Sequence, residues 1–198
     1  MKKNAVLVVA LSGLASGAIA QSLSINVHLG DTWIGVGETT TATMTATFTG
    51  EGTPYMSVAD LNLTAISGTG NFTFSDLTLG YWNMNALGPA TGTIDESGIS
   101  DIHISQQALF GTVDMTNTGL MIATWTIRRD STLGARYRIT ATDAPFTFGI
   151  NDADDPLGSP TIYGPEVMAD FVLPGIPAPS GIALLGLSGM ICARRRRN

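Results

Sequence analysis

Cysteine is almost absent from this 198-residue chain, whose only example is Cys192, close to the C-terminus. The rest of the chain therefore has no disulfide bond and no thiol chemistry. This excludes a small scaffold stapled by disulfides, so the fold must be stabilised by a packed core alone. Apolar residues make up 44% of the sequence, which is enough for such a core.

Charge is also scarce, at 13% of residues against about 25% in typical globular domains. All sixteen acidic residues lie between Asp31 and Asp170, and this body holds four arginines and no lysine, a net charge of −12. Such a surface repels phosphate backbones and anionic lipids, which argues against nucleic-acid partners. An acidic surface is compatible with solubility outside the cell and with divalent cations as counterions.

Groups for catalysis are few. The only histidines are His28 and His103, and no G-x-S-x-G elbow or phosphate-binding loop is present. We interpret both histidines as solvent-facing strand residues, because a metal pair would need a third ligand that the sequence does not reveal. The sequence thus predicts no catalytic residues and a protein that is not an enzyme.

The N-terminus has the pattern of a secretory signal peptide. Two lysines precede an apolar run over Ala5–Ala15, and Ala18 and Ala20 form an A-x-A site before Gln21. We expect residues 1–20 to be a signal helix that is cleaved after Ala20.

The C-terminus has the pattern of a temporary membrane anchor. The apolar stretch Gly181–Ala193 would reach about 20 Å as a helix, short of the roughly 30 Å of hydrocarbon in a bilayer. Four basic residues follow as a stop-transfer signal: Arg194, Arg195, Arg196 and Arg197. We expect a linker over 174–180 and a short membrane-inserted helix with a basic tail over 181–198.

This tail resembles a PEP-CTERM sorting domain over about 22 residues, from Ile176 to Asn198. The features that carry the resemblance are Pro177, Ala178 and Pro179, the Gly/Ala/Leu-rich stretch and the arginine block, with Ala178 standing where the family has Glu. The same tail is also known as the ice-binding protein C-terminal domain. The resemblance implies processing by an exosortase-type enzyme after transient insertion in the inner membrane. It implies a final location at the cell surface or in the extracellular matrix.

Between the ends, apolar and polar residues alternate with the two-residue period of β-strands. The clearest case is Thr39–Thr49, in which one face carries threonines and the other is mainly apolar. Gly, Asn, Asp and Pro separate the segments. The predicted strands are Ser22–His28, Thr39–Thr49, Ser57–Ile66, Asn71–Leu79, Gly92–Asp95, Ile99–Ser105, Leu120–Arg128, Tyr137–Thr142, Phe146–Ile150 and Val167–Leu173.

The spacing predicts an all-β fold, a single antiparallel β-sandwich over residues 21–173, of jelly-roll or immunoglobulin/cohesin-like type. The opening, with Leu29-Gly30-Asp31 and Val36-Gly37-Glu38-Thr39, loosely resembles cohesin-like and immunoglobulin-like bacterial modules. The expected core aromatics are Trp33, Phe72, Phe74, Trp125, Tyr137, Phe146 and Phe148.

Three features of the body could bind a ligand. Asp152, Asp154 and Asp155 form a carboxylate cluster that could supply oxygens to calcium, although a solvated acidic loop is the simpler interpretation. The threonine face of Thr39–Thr49 could meet ordered water or sugar, but such a surface needs several registered strands. Aromatics at Tyr81-Trp82 could stack on sugar rings or lie in the core.

These observations favour a non-enzymatic surface or extracellular-matrix protein of structural or adhesive type. The alternative is a module that binds extracellular polysaccharide, with possible help from calcium. A secreted hydrolase is a remote alternative, because no acid–base pair emerges from the sequence.

Overall fold

The computed structural model describes residues 6–11, 22–82, 88–142, 148–163 and 169–176. The predicted cleavage site (Ala18, Ala20, Gln21), the sorting motif (Pro177, Ala178, Pro179) and Arg194–Arg197 lie outside these ranges. No helix among the described residues is long and apolar enough to cross a membrane.

The fold is all-β and antiparallel, as the alternation predicted. Its strands are β1 (Val6–Leu11), β2 (Ser22–Leu29), β3 (Thr39–Thr49), β4 (Pro54–Ser67), β5 (Phe72–Leu79), β6 (Thr91–Asp95), β7 (Gly98–Ser105), β8 (Thr118–Arg129), β9 (Ala135–Ala141), β10 (Phe148–Asp152), β11 (Thr161–Tyr163) and β12 (Ala169–Leu173). A short 3₁₀ turn, Ala108–Phe110, precedes β8.

The strands form two sheets. The front sheet has the order β1-β2-β3-β8-β5. The back sheet has the order β11-β10-β4-β7-β6, and β9 joins it by pairing with both β4 and β12. The long strand β4 organises the back sheet, because its first half pairs with β10 and its second half with β9, while β7 lies along its other edge.

The two sheets face each other across an aromatic core, which makes the fold a sandwich. The ring of Phe74 in the front sheet lies 4.8 Å from that of Tyr137 in the back sheet, centroid to centroid. Trp125 meets Phe171 edge to face at 6.4 Å. These contacts join non-neighbouring strands, so the core fixes how the sheets stack.

Most of the expected core aromatics are buried: Phe72, Phe74, Trp125, Tyr137 and Phe148. The prediction for Trp33 is wrong, since this residue is 56% exposed. It lies in the loop between β2 and β3, where strand alternation assigns no inward position. Phe146 lies outside the described residues.

The N-terminal segment contains a strand where the sequence predicted part of a signal helix. Val6–Leu11 pairs antiparallel with β2, from Val6 opposite His28 to Leu11 opposite Leu23. Its three valines favour extended backbone. Cleavage after Ala20, which stays a prediction, would remove this strand and leave β2 at the edge of the front sheet.

The start of the predicted linker is attached to the domain. The backbone NH of Ile176 donates to the carbonyl of Thr132 at 2.8 Å, and a guanidinium nitrogen of Arg129 donates to the carbonyl of Pro174 at 2.6 Å. The rest of the linker, 177–180, lies outside the described residues.

Candidate functional site

The acidic loop after β10 uses its carboxylates to hold its own backbone. Asp152 Oδ1 accepts hydrogen bonds from the backbone NH groups of Thr53 and Asp154, at 3.1 and 2.9 Å. The Thr53 hydroxyl donates to Asp154, and Asp155 is exposed. In the part of the chain that the structure describes, no three His, Cys, Asp or Glu side chains form a group able to hold a metal ion. Calcium at Asp152, Asp154 and Asp155 stays a prediction.

The threonine face seen in β3 extends across neighbouring strands, which the sequence did not reveal. Thr43 lies opposite Thr124 of β8, which in turn lies opposite Thr78 of β5. Thr41, Thr126 and Ser75 form the next such row. We call this surface the hydroxyl face; its members are Ser22, Ser24, Thr39, Thr41, Thr43, Thr47, Thr49, Thr73, Ser75, Thr78, Thr118, Thr124 and Thr126.

Members of the hydroxyl face are exposed or half-buried, while their strand neighbours fill the core. Strand geometry spaces them about 4.8 Å apart across the strands and about 6.8 Å apart along them. Strands β2, β3 and β8 contain no acidic residue and no lysine, although the body is strongly acidic. The face is therefore an array of hydroxyl groups with few charges, of which Arg128 is one, and register shifts interrupt it in β3 and β5.

The aromatic pair Tyr81-Trp82 divides between core and surface. Trp82 is buried, and its indole NH donates to the carbonyl of Met121 at 3.1 Å, so it is unavailable for stacking. Tyr81 is 85% exposed beside a cleft lined by Thr112, Val113 and Asp114.

The outer surface of the back sheet holds a polar cleft of about 450 Å³. We call it the back cleft; its lining residues are Asp60, Asn62, Thr91, Asp101, Ile102, His103 and Thr142. Strands β4 and β7 position its central groups, because Asp60 and His103 are direct partners in the ladder between them. Thr91, on β6, is paired with His103 from the other side.

The imidazole of His103 and the carboxylate of Asp60 form a close pair. His103 Nδ1 lies 2.5 Å from Asp60 Oδ1. Asp60 is 7% exposed, and this burial raises its pKa, while the hydrogen bond and charge of His103 act in the opposite direction. His103 lies on the outer side of the sheet, as expected, but its side chain is about three-quarters buried and paired, which the sequence did not predict.

The other ring nitrogen of His103, Nε2, is sealed from solvent and has no hydrogen-bond partner among the described residues. His28 lies on the opposite sheet, beside Thr43, so the two histidines do not share a site.

Asp101 gives the back cleft an irregular edge. Its φ angle is 53°, in the left-handed region that few residues other than glycine adopt. The ladder between β4 and β7 shifts register at this point, and the backbone NH of Asp101 donates to the side-chain oxygen of Asn62 at 2.8 Å. A bulge of this kind re-aims side chains and is frequent beside functional sites.

No protein-family model matches this chain, and no curated protein matches it. The resemblances of the tail and of the opening segment therefore rest on the quoted residues alone.

Proposed function

We propose that the chain is an exported, non-enzymatic protein of the cell surface or extracellular matrix, of structural or adhesive type, sorted by its PEP-CTERM-like tail. The order of a signal-peptide pattern, one β-sandwich and a sorting-type tail supports export. The cysteine-free core suits a protein whose stability is independent of redox conditions.

The observation that carries the adhesive role is the hydroxyl face. Solvent-facing sheets are ordinarily kept soluble and monomeric by charged side chains, above all near their edges. Here the rows through Thr43–Thr124–Thr78 and Thr41–Thr126–Ser75 present hydroxyl groups instead. Each hydroxyl can both donate and accept a hydrogen bond, so an array of hydroxyl groups complements a polymer with repeating hydroxyl groups.

The sorting step is tested by removing residues 177–198 in the native host. The truncated chain is expected to leave the surface or matrix fraction, because the signal for the processing enzyme is gone. The variant Ala178→Glu, which introduces the residue typical of the family, is expected to keep the normal location. Unchanged placement of the truncated chain would contradict the proposal.

The second candidate function is binding of extracellular polysaccharide through the hydroxyl face. The double variant Thr43→Lys, Thr126→Lys adds bulk and charge at the centre of the face. Its retention on insoluble host polysaccharide should fall about tenfold or more, since several hydrogen bonds of about 1 kcal/mol each are lost. Thr161→Lys, on the edge strand β11 of the back sheet, is the control and should bind normally.

The same retention assay also tests the roles of calcium and of hydrolysis. Loss of retention with a chelator, reproduced by Asp154→Asn, would support calcium assistance by the acidic loop. Release of soluble sugar by the unaltered chain would favour the remote alternative of a secreted hydrolase over the adhesive role.

A further inference from the structure

The back cleft lies on the sheet opposite the hydroxyl face and plays no part in the proposed adhesion. Three observations converge there: a buried Asp60–His103 pair, a bulge with strained backbone at Asp101, and a concave surface between β4, β7 and β6. The buried pair and the bulge each have a free-energy cost that a plain strand pairing would avoid. Their coincidence at one place indicates a binding site.

The Asp60–His103 pair places polar side chains at a position where packing alone would favour apolar ones. The Nδ1 hydrogen bond to Asp60 fixes the orientation of the His103 ring, and Nε2 has no partner among the described residues. A buried nitrogen without a hydrogen bond destabilises the fold, which is a cost that strand pairing alone does not require.

The side chain of Asp101 provides hydrogen-bond acceptors at the edge of the back cleft. Its backbone is tied on both sides, since its NH donates to Asn62 Oδ1 and its carbonyl accepts a hydrogen bond from the Thr91 hydroxyl at 3.3 Å. The side chain is exposed and makes no ion pair among the described residues. Its carboxylate is therefore held at the cleft and open to a ligand.

The lining chemistry selects a class of ligand. Two carboxylates, Asp60 and Asp101, disfavour phosphate, sulfate and acidic sugars by charge repulsion. A protonated amine only donates hydrogen bonds and would leave the amide NH₂ of Asn62 without an acceptor. Neighbouring hydroxyl groups donate to carboxylates and accept from amide and hydroxyl groups, so they match Asp101, Asn62 and Thr91.

We propose that the back cleft binds a neutral, hydroxyl-rich ligand, namely a sugar residue, with Asp101 accepting hydrogen bonds from adjacent hydroxyl groups and the Asp60–His103 pair forming the floor. This site is distinct from the hydroxyl face and does not depend on the sorting tail.

The test follows the histidine ring signals of the full chain by NMR during titration with glucose, galactose, mannose and N-acetylglucosamine. The chain contains only one other histidine, His28, which lies on the opposite sheet beside Thr43 and therefore reports on the hydroxyl face. At least one neutral sugar should shift the His103 signals saturably, and this shift should persist in the variant Thr43→Lys, Thr126→Lys. Glucuronic acid, which is negatively charged, should bind about tenfold more weakly than glucose or not at all.

Two matched variants locate the contact. Asp101→Asn keeps a residue that tolerates positive φ but removes the charge, and should weaken sugar binding about tenfold. Asp76→Asn is the control, since Asp76 is exposed, has a φ of 57° and lies on β5 in the front sheet. It should leave the affinity within about twofold, a difference well below 1 kcal/mol.

The proposal is overturned if no sugar in the panel moves the His103 signals, if the shift is lost in Thr43→Lys, Thr126→Lys, or if Asp101→Asn and Asp76→Asn weaken binding equally. Saturable shifts with calcium or zinc alone would also overturn it, in favour of a cation site. Comparison of the free sugar with a polymer of the same sugar shows whether the natural source is a small molecule or a chain end. If no sugar binds in the back cleft but retention on polysaccharide still depends on Thr43 and Thr126, the proposed adhesive role remains supported.

Discussion

Two buried tyrosines differ in what their hydroxyl groups meet. Tyr137 and Tyr55 are both 0% exposed. The hydroxyl of Tyr55 accepts a hydrogen bond from the backbone NH of Ala108 at 3.3 Å, whereas that of Tyr137 has no partner among the described residues. Burial raises the pKa of Tyr137 to about 12, as expected for a phenol kept away from water.

Removing these hydroxyl groups should therefore have opposite consequences. Tyr137→Phe is expected to leave the free energy of unfolding unchanged or raise it by about 1 kcal/mol, because an unpaired buried hydroxyl is lost. Tyr55→Phe should lower it by about 1 kcal/mol, because the NH of Ala108 loses its acceptor. Urea denaturation measures both; a larger loss for Tyr137→Phe than for Tyr55→Phe would contradict the assignment.

Asp60 should give stability an unusual dependence on pH. A carboxyl group whose pKa is higher in the folded state contributes stability that is present below its ordinary value of 3.8 and lost as the pH rises through the folded pKa. Wild type should thus lose stability relative to Asp60→Asn as the pH rises from below 3.8 into the mildly acidic range.

Asp95 provides the control of opposite sign. Hydrogen bonds from Ser97 lower its pKa, so wild type should gain stability relative to Asp95→Asn as the pH rises over the same interval. Denaturant titrations of wild type and both variants across this interval measure the two slopes. Slopes of the same sign would show that the environment of Asp60 is misassigned.

The sequence could not predict the Asp60–His103 pair, because it depends on the register of β4 with β7 across 43 positions. The alternation of apolar and polar residues shows which side chains point away from the core. It does not show which residue of the neighbouring strand lies opposite each of them. The same limit hid the hydroxyl face, since Thr124 and Thr78 join Thr43 only through strand pairing.

At the scale of strands, alternation predicted the regular elements well. β3 was predicted at Thr39–Thr49 and forms over those residues, and β5 begins one residue later than expected. The strand β11, Thr161–Tyr163, was missed because it is short and follows Pro160. β4 begins earlier than predicted, at Pro54, where pairing with β10 overrides the weak strand tendency of proline.

Arg129 ties β8 to the end of β12. Its side chain is 2% exposed, it lies 4.7 Å over the Phe72 ring, and it donates to the carbonyls of Ser131, Leu133 and Pro174. Burial lowers its pKa. The closing strand of the back sheet is therefore held to the front sheet by hydrogen bonds from a buried cation.

Arg129→Met should lower the free energy of unfolding by about 1–3 kcal/mol, because several carbonyl groups lose their donor. The neighbouring Arg128 is the matched control: it is half-exposed and pairs with Asp130 at 2.8 Å. Surface pairs of this type contribute about 0–1 kcal/mol, so Arg128→Met should have a smaller effect. Equal losses in thermal or urea unfolding would exclude a special role for Arg129.

At the scale of the whole molecule, acidic and hydroxyl groups are concentrated on different faces of the sandwich. The central strands of the front sheet carry no acidic residue, while the back sheet presents Asp60 and Asp101 at its cleft. One face is thus suited to a repeating neutral surface and the other to a small polar ligand. The proposed adhesion requires the domain to lie outside the cell, where the proposed signal peptide and sorting tail would place it.

Intact mass spectrometry of the protein isolated from its native host tests this account most directly. The expected mass is that of a chain that begins at Gln21 and ends near Pro179, because the proposed export and sorting would process both ends. The front sheet then begins at β2, without the strand Val6–Leu11. A mass that corresponds to the whole chain from Met1 to Asn198 would contradict both processing events and the proposed location.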